Sequence, residues 1–221
     1  MCSYKIWIVV LFIVSIFIFG HINANSSDLP LLGKVIFIDA GHGGRDPGTV
    51  YGNIYEKDIN LEISKVICEE LALNGAIVYM IREVDEDLSS RWDSNKKRGD
   101  LYRRIKKIDD VSVKSDVYLS IHINWYDNAF WSGAEVLYHP INSKNKILGE
   151  ILMNRFKEDL NSKRHLKKTD LYLYRNTSTP GVLVECGFLS NYNERQLLQD
   201  VSYQQKIATS IRKGLIEYFS L

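Results

Sequence analysis

The sequence predicts an α/β fold: a single domain with a mainly parallel, twisted sheet flanked by helices on both faces. Three observations predict it. Short, strongly apolar, β-branched runs recur along the chain. Longer segments between them repeat their apolar residues at helical spacing. Strands separated by helices pair in parallel, and the crossovers put helices on both faces.

The elements follow in order. Ile6 to Gly20 form an apolar run interrupted only by Ser15, with Lys5 as the sole charge before it. A secretory h-region spans about 7–15 residues and a membrane helix about 20, so the run suits a signal peptide better than an anchor. Residues 1–24 are read as signal peptide, with an uncleaved anchor as the alternative. Either exports the remainder. Residues 25–33 read as a linker and 34–221 as the folded domain.

Lys34–Asp39 is the first strand, followed by a Gly-rich loop from Gly41 to Gly52. Asp58 to about Asn74 reads as a helix, with Ile59, Ile63, Val66, Ile67 and Leu71 on one face and Asn74-Gly75 as its stop. Ala76–Ile81 is a second strand, and Asp93 to about Asp110 a polar helix. Asp116–Ile121 and Ala134–Tyr138 are strands, and Ser143–Leu160 is a helix. Leu171–Tyr174 and Val182–Val184 read as short strands, and Asn193–Gln199 and Ser202–Phe219 as helices. No internal repeat, low-complexity tract or second domain is visible.

Charge excludes one class of partner. The chain has 28 basic and 27 acidic residues, and removing residues 1–24 takes away Lys5 and no acid, leaving 27 against 27. A neutral domain has no electrostatic footprint for nucleic acid. The clusters Lys96-Lys97-Arg98 and Arg103-Arg104 read as solvated helix faces. Three cysteines are too few for a disulfide scaffold. Cys68 and Cys186 read as small core residues, with a bridge between them left open.

Four polar residues attract attention: His42 in DAGHGG, Glu56 in YEKDINL, His122 in SIHIN and Glu185 in VLVECGFLSN. The two histidines and Glu185 come at or just after apolar strand-like runs. In an open α/β sheet, ligands bind outside the carboxyl ends of the strands, so these side chains should meet at one sheet edge. Two His and one Glu suffice to hold a catalytic zinc, and a second Glu can serve as the base. Each residue alone has an ordinary reading. A loop histidine is usually structural, and a glutamate in a first helical turn complements the helix dipole. A histidine at a strand end is commonly a buried hydrogen-bonding group. An acid on an apolar strand must be paired, protonated or functional, and a salt bridge from Glu185 to Arg175 is the structural alternative. His21, His139 and His165 are read as non-ligands.

DAGHGGRDPG, YEKDINLEI, SIHIN and PGVLVECGFLSN together resemble the four signatures of the zinc-dependent N-acetylmuramoyl-L-alanine amidases of the Amidase_3 type. The resemblance runs in register from about Lys34 to the C-terminus, and it agrees with an α/β domain. It implies zinc (Zn2+) ligands at His42, Glu56 and His122 and a catalytic glutamate at Glu185. It implies hydrolysis of the amide between the lactyl group of N-acetylmuramic acid and L-alanine of the peptidoglycan stem peptide, with a zinc-activated water. Asn124 and Arg175 are expected to orient substrate, the arginine by bidentate pairing with a stem-peptide carboxylate.

Two departures sharpen the resemblance. Only Asn124 to Ser132 separates SIHI from the next strand, too short for the regulatory helix that plugs some relatives. The stretch RWDSNKKRGDLYRRIKKI is longer and more basic than a minimal member needs. With the bare export segment, this resembles the sporulation and germination amidases that prepare muramic-δ-lactam in spore cortex. A vegetative cell-separation autolysin and a zinc peptidase cutting within the stem peptide are the alternatives. An open site also suggests an accessory or regulatory protein. The aromatic cluster Trp125, Tyr126, Phe130 and Trp131 is read as a grip for glycan or partner, or as a cap on the core.

Overall fold

A computed structural model describes residues 29–110 and 112–221. The export segment read at residues 1–24 lies outside them. Residues 29–33 of the expected linker are docked: Leu31 is fully buried and its N–H donates to Asn74 O at 3.0 Å.

Eight strands and six helices are described. In chain order they are β1 (Val35–Ala40), β2 (Val50–Tyr51), β3 (Ile54–Tyr55), α1 (Glu56–Leu73), β4 (Ile77–Met80), α2 (Lys96–Ile108) and β5 (Val117–Asn124). β6 (Glu135–Tyr138), α3 (Ser143–Asp159), β7 (Lys167–Lys168), α4 (Tyr172–Arg175), β8 (Gly181–Phe188), α5 (Tyr192–Leu198) and α6 (Val201–Phe219) complete the chain. Six strands form one sheet in the order β4-β1-β5-β8-β6-β7. β4, β1, β5 and β8 run parallel, whereas β6 is antiparallel to β8, so the sheet is mainly parallel as expected.

Alternation along the strands sorts side chains onto two faces. Ile36 and Ile38 of β1, Val117, Leu119, Ile121 and Ile123 of β5, and Val182, Val184 and Cys186 of β8 enter the larger core. α1 covers it with Ile59, Ile63, Ile67 and Leu71, spaced by four, and α3 and α6 complete the layer. Phe37, Tyr118 and Leu183 point the other way, into a smaller cluster with Ile105 and Ile108 of α2 and Leu173 of α4. The helix ends are built by their own residues. Asn95, Asn142, Asn191 and Asp200 each accept a backbone N–H from the first turn of the helix they precede. No helix among the described residues is long and apolar enough to cross a membrane.

Several expectations are corrected. Leu171–Tyr174 is not a strand: Tyr172–Arg175 form one helical turn, and Leu173 faces the core. Four residues of alternating Leu and Tyr are too few to separate the two periods. β7 appears inside the basic loop SKRHLKK, and a two-stranded ribbon, β2-β3, inside the Gly-rich segment and its exit. β5 and β8 each run to eight residues, so His122 and Glu185 lie within strands rather than beyond them. Arg104 is not solvated but 2% exposed. Cys68 and Cys186, by contrast, are as expected: free thiols packed in or against the main core.

Candidate active site

The polar group forms where the carboxyl ends of β1 and β5 meet the start of α1. The loop after β1 turns sharply, with His42 in the left-handed region at φ 62°. That conformation is uncommon for a residue with a side chain and marks a constrained site. Two fully buried arginines hold the main chain there. Arg82 Nε donates to Ala40 O at 2.9 Å and its Nη2 to Gly41 O at 3.0 Å. Arg104 Nη1 donates to Ala40 O at 2.9 Å and its Nη2 to His42 O at 2.7 Å. Arg104 also ion-pairs with Asp39 and Asp100, and Asp39 accepts from Ser120 Oγ at 2.9 Å.

His42, Glu56 and His122 converge. His42 Nε2 lies 3.2 Å and His122 Nδ1 3.1 Å from the same oxygen, Glu56 Oε1. One donor atom from each residue lies within 4.8 Å of the others. Glu56 is fixed from behind: its Oε2 accepts Thr49 N at 2.8 Å, and its Oε1 accepts Ile123 N at 3.2 Å and Asn60 Nδ2 at 3.3 Å. His42 Nδ1 faces Asp46 Oδ2 at 3.0 Å, without the angle of a regular hydrogen bond. A carboxylate behind the non-ligating nitrogen of a histidine is the usual support of a metal ligand.

Two glycines make the space. A Cβ on Gly41 would overlap the His122 ring, and one on Gly48 would lie 2.6 Å from Glu56 Oε2 and 2.7 Å from His42 Cδ2. Two imidazoles and one carboxylate, carried on rigid elements and braced by outer partners, suit a divalent metal with nitrogen and oxygen preference.

Electrostatics follow from this crowding. Burial alone would lower the His42 pKa, but Asp46 and Glu56 outweigh it and raise it to about 9. Burial likewise works against ionised Glu56, yet the two histidines hold its carboxyl well below the usual range. Glu185 behaves oppositely. It is paired with His122 of β5 and with Glu135 of β6 in sheet register, and its Oε2 is closed from solvent with no hydrogen-bond partner. Burial first, then the nearby Glu56 and Glu135 carboxylates, push its pKa well up.

The salt bridge weighed for Glu185 is not formed. Arg175 ion-pairs with Asp170 at 3.3 Å. The cations near Glu185 engage its neighbour instead: Arg164 Nη2 and Lys167 Nζ reach Glu135 at 3.0 and 2.9 Å. Asn124 also donates to Glu135 Oε1, at 2.7 Å. His139 pairs with Asp170 at 3.2 Å, away from the cluster. A cleft of about 280 Å³ opens beside His42 and His122, walled by Leu101 and Arg104 of α2, Tyr172 and Leu173 of α4, and Leu183.

Sequence reasoning missed the supporting residues Asp39, Asp46, Arg82, Arg104 and Glu135. Asp39 carried a readable signal: an acid closing the apolar run VIFID requires a buried cation. Which arginine supplies it depends on tertiary packing.

The family model for N-acetylmuramoyl-L-alanine amidase, Amidase_3, matches residues 36–217. The chain belongs to this family. Its relatives include the germination-specific N-acetylmuramoyl-L-alanine amidase of Bacillus subtilis, 37% identical over 219 residues, covering 95% of this chain and 92% of that one. The amidase LytC of Bacillus subtilis is 30% identical over 199 residues, covering 89% of this chain and 38% of LytC. Among solved structures, the CwlD amidase from Clostridioides difficile, in complex with the GerS lipoprotein, superposes with a TM-score of 0.79 at 34% identity. It covers 85% of this chain and 98% of that one. The amidase is thus a peptidoglycan hydrolase, and its fold is the one its family shares.

Proposed function

We propose that this amidase is a zinc enzyme of spore cortex maturation and germination, and that His42, Glu56 and His122 hold the zinc while Glu185 moves the proton. The observation that carries the reading is the convergence of three donors on one point, with a carboxyl of raised proton affinity beside His122 in register. When bound, zinc supplies Lewis acidity, polarising the amide carbonyl and lowering the pKa of water towards neutrality.

The remaining work belongs to side chains. Glu185 takes the proton of the attacking water and delivers it to the leaving nitrogen of L-alanine. To take that proton Glu185 must start ionised, and a divalent cation held by His42, Glu56 and His122 would offset the burial that favours its protonated form. Glu135, ion-paired with Arg164 and Lys167 and hydrogen-bonded by Asn124, keeps that side of Glu185 filled and ordered. Arg175 is the candidate for a stem-peptide carboxylate, because it is half exposed and directly follows the cleft wall. Asn124 acts one step back, through Glu135.

The germination role is supported by 37% identity to the germination-specific enzyme and 34% to CwlD. Export through residues 1–24 agrees with a wall substrate. A lipoprotein partner of the kind bound to CwlD is proposed as the accessory protein; full activity of purified, zinc-saturated enzyme alone would remove that requirement. Mass spectrometry of digested cortex and vegetative wall tests the whole reading. It should show free lactyl ends on muramic acid and intact stem peptides, lost on chelation, with cortex preferred. Shortened peptides would make the protein a peptidase, and preference for vegetative wall would make it an autolysin.

A further inference from the structure

Two pairs of half-exposed aromatic rings lie close in sequence to the metal-binding residues, and none of them lines the cleft. Tyr51 of β2 and Trp125, just past β5, have ring centroids 6.3 Å apart. Tyr126 follows Trp125 in the chain and contacts Trp131 at 5.7 Å. All four are 37–45% exposed, so they do not serve as a lid buried over the core.

Each end of the strip is backed by protein, which leaves ring surface free and fixed in place. The Arg195 guanidinium lies 3.6 Å from the centroid of Tyr51, and Arg195 is itself held by Leu189 O at 2.7 Å and Ser190 O at 3.1 Å. Arg164 backs Trp131 at 4.5 Å while bound to Glu135. Tyr126 stacks on buried Phe188 at 5.7 Å. Rings held this way lose little freedom when a ligand covers them. Exposed aromatic patches of this sort mark binding surfaces.

Position selects the occupant. Trp125 is three residues past His122, and Tyr51 is two past Thr49, whose N–H binds Glu56. At about 3.6 Å per residue at most, the Trp125 Cα lies within about 11 Å of the His122 Cα and the Tyr51 Cα within about 7 Å of the Thr49 Cα. The scissile amide joins a sugar to a peptide. Its peptide side has a narrow cleft to enter between α2 and α4, and none of the four rings lines that cleft. Its acyl side carries a muramic acid ring, which must lie one lactyl group from the metal. A protein seated permanently on this strip would cover the approach of that sugar.

We infer that Tyr51, Trp125, Tyr126 and Trp131 form a saccharide subsite that stacks on the glycan strand flanking the scissile muramic acid. The inference rests on the amidase reading above. Sugar rings present C–H faces to aromatic rings and hydroxyls to polar groups beside them, here the Tyr126 hydroxyl and the Lys167 ammonium that donates to it at 3.4 Å.

Binding of β-1,4-linked N-acetylglucosamine oligomers to the zinc-loaded full chain, followed by tryptophan fluorescence and calorimetry, tests it. These oligomers carry no lactyl group and no muramoyl–alanine amide, so their binding is independent of cleavage. Saturable binding is expected, weakened about tenfold or more in Tyr51→Ala/Trp125→Ala and retained in Tyr51→Phe/Trp125→Phe. The Ala pair should also raise KM for intact wall by a similar factor, with zinc content and circular dichroism unchanged. Absence of oligomer binding, or unchanged binding in the Ala pair, would overturn the subsite. So would loss of an accessory protein's binding with sugar binding intact, which would assign the strip to that protein. Oligomer binding without lactyl-end products would sink the amidase reading and leave the saccharide site standing.

Discussion

Gly41 and Gly48 are where they are because of other residues' side chains. A methyl group on Gly41 would displace the His122 ring, and one on Gly48 would press on both His42 and Glu56. Gly41→Ala is expected to weaken zinc binding by about 10–100-fold, the range seen when support around a metal ligand is disturbed. Chelator competition measures it, and circular dichroism should stay the same. Glu185→Gln should lower kcat by about 10²–10⁴-fold, as loss of a general base does, while bound zinc per chain stays constant. Loss of zinc in that variant would make Glu185 a ligand instead. At this scale the four principal residues were legible because their types and local contexts are specific. The surroundings of Glu185 were not. Arg175 looked available in sequence, but Arg164 and Lys167 reach this region only because β7 pairs with β6, and the residues of β7 read as loop.

At the scale of elements, α2 ties the site to the second face of the sheet. Its Arg104 reaches Asp39 at the end of β1 and the carbonyl of His42. Burial raises the Asp39 pKa, but the Arg104 guanidinium outweighs it and holds the carboxyl below its ordinary value of 3.8. The stabilisation this ion pair gives is therefore present above pH 3.8 and lost as pH falls through the lower folded value. Asp39→Asn should cost about 3–5 kcal/mol in denaturant unfolding at pH 7, because Arg104 is left short of a buried partner. The gap from the parent protein should narrow below pH 3.8, as the unfolded parent takes up the proton, and be lost as pH falls through the lower folded value. A gap that stays constant into acid would show that the pair contributes no charge-dependent stability. The helices were the readable elements: the four-residue spacing of Ile59, Ile63, Ile67 and Leu71 leaves little choice. Strand limits were less so. β8 continues past Val184 because Cys186 and Phe188 remain buried, although Glu185 and Gly187 interrupt the apolar run.

For the molecule as a whole, the sheet brings together residues separated by 143 positions, from His42 to Glu185, and a bound ion would couple those segments. Zinc at about 100 times its dissociation constant adds about 2.7 kcal/mol to stability. At about 2–4 °C per kcal/mol for a domain of this size, Tm should rise by about 5–10 °C with zinc and fall back with chelator. His42→Ala should show little of that rise. The overall architecture was legible because alternating apolar runs and helical repeats admit few arrangements. The order of the far edge, β8-β6-β7, was not, since nothing local in Glu135–Tyr138 specifies an antiparallel strand.

We propose that His42, Glu56 and His122 share one zinc ion and that Glu185 stands beside it without binding. A crystal of the zinc-loaded protein measured on both sides of the zinc absorption edge tests this directly. It should give one anomalous peak at about 2.0–2.2 Å from the three side chains and none bonded to Glu185. A peak on other residues, or one with Glu185 in place of Glu56, would contradict it.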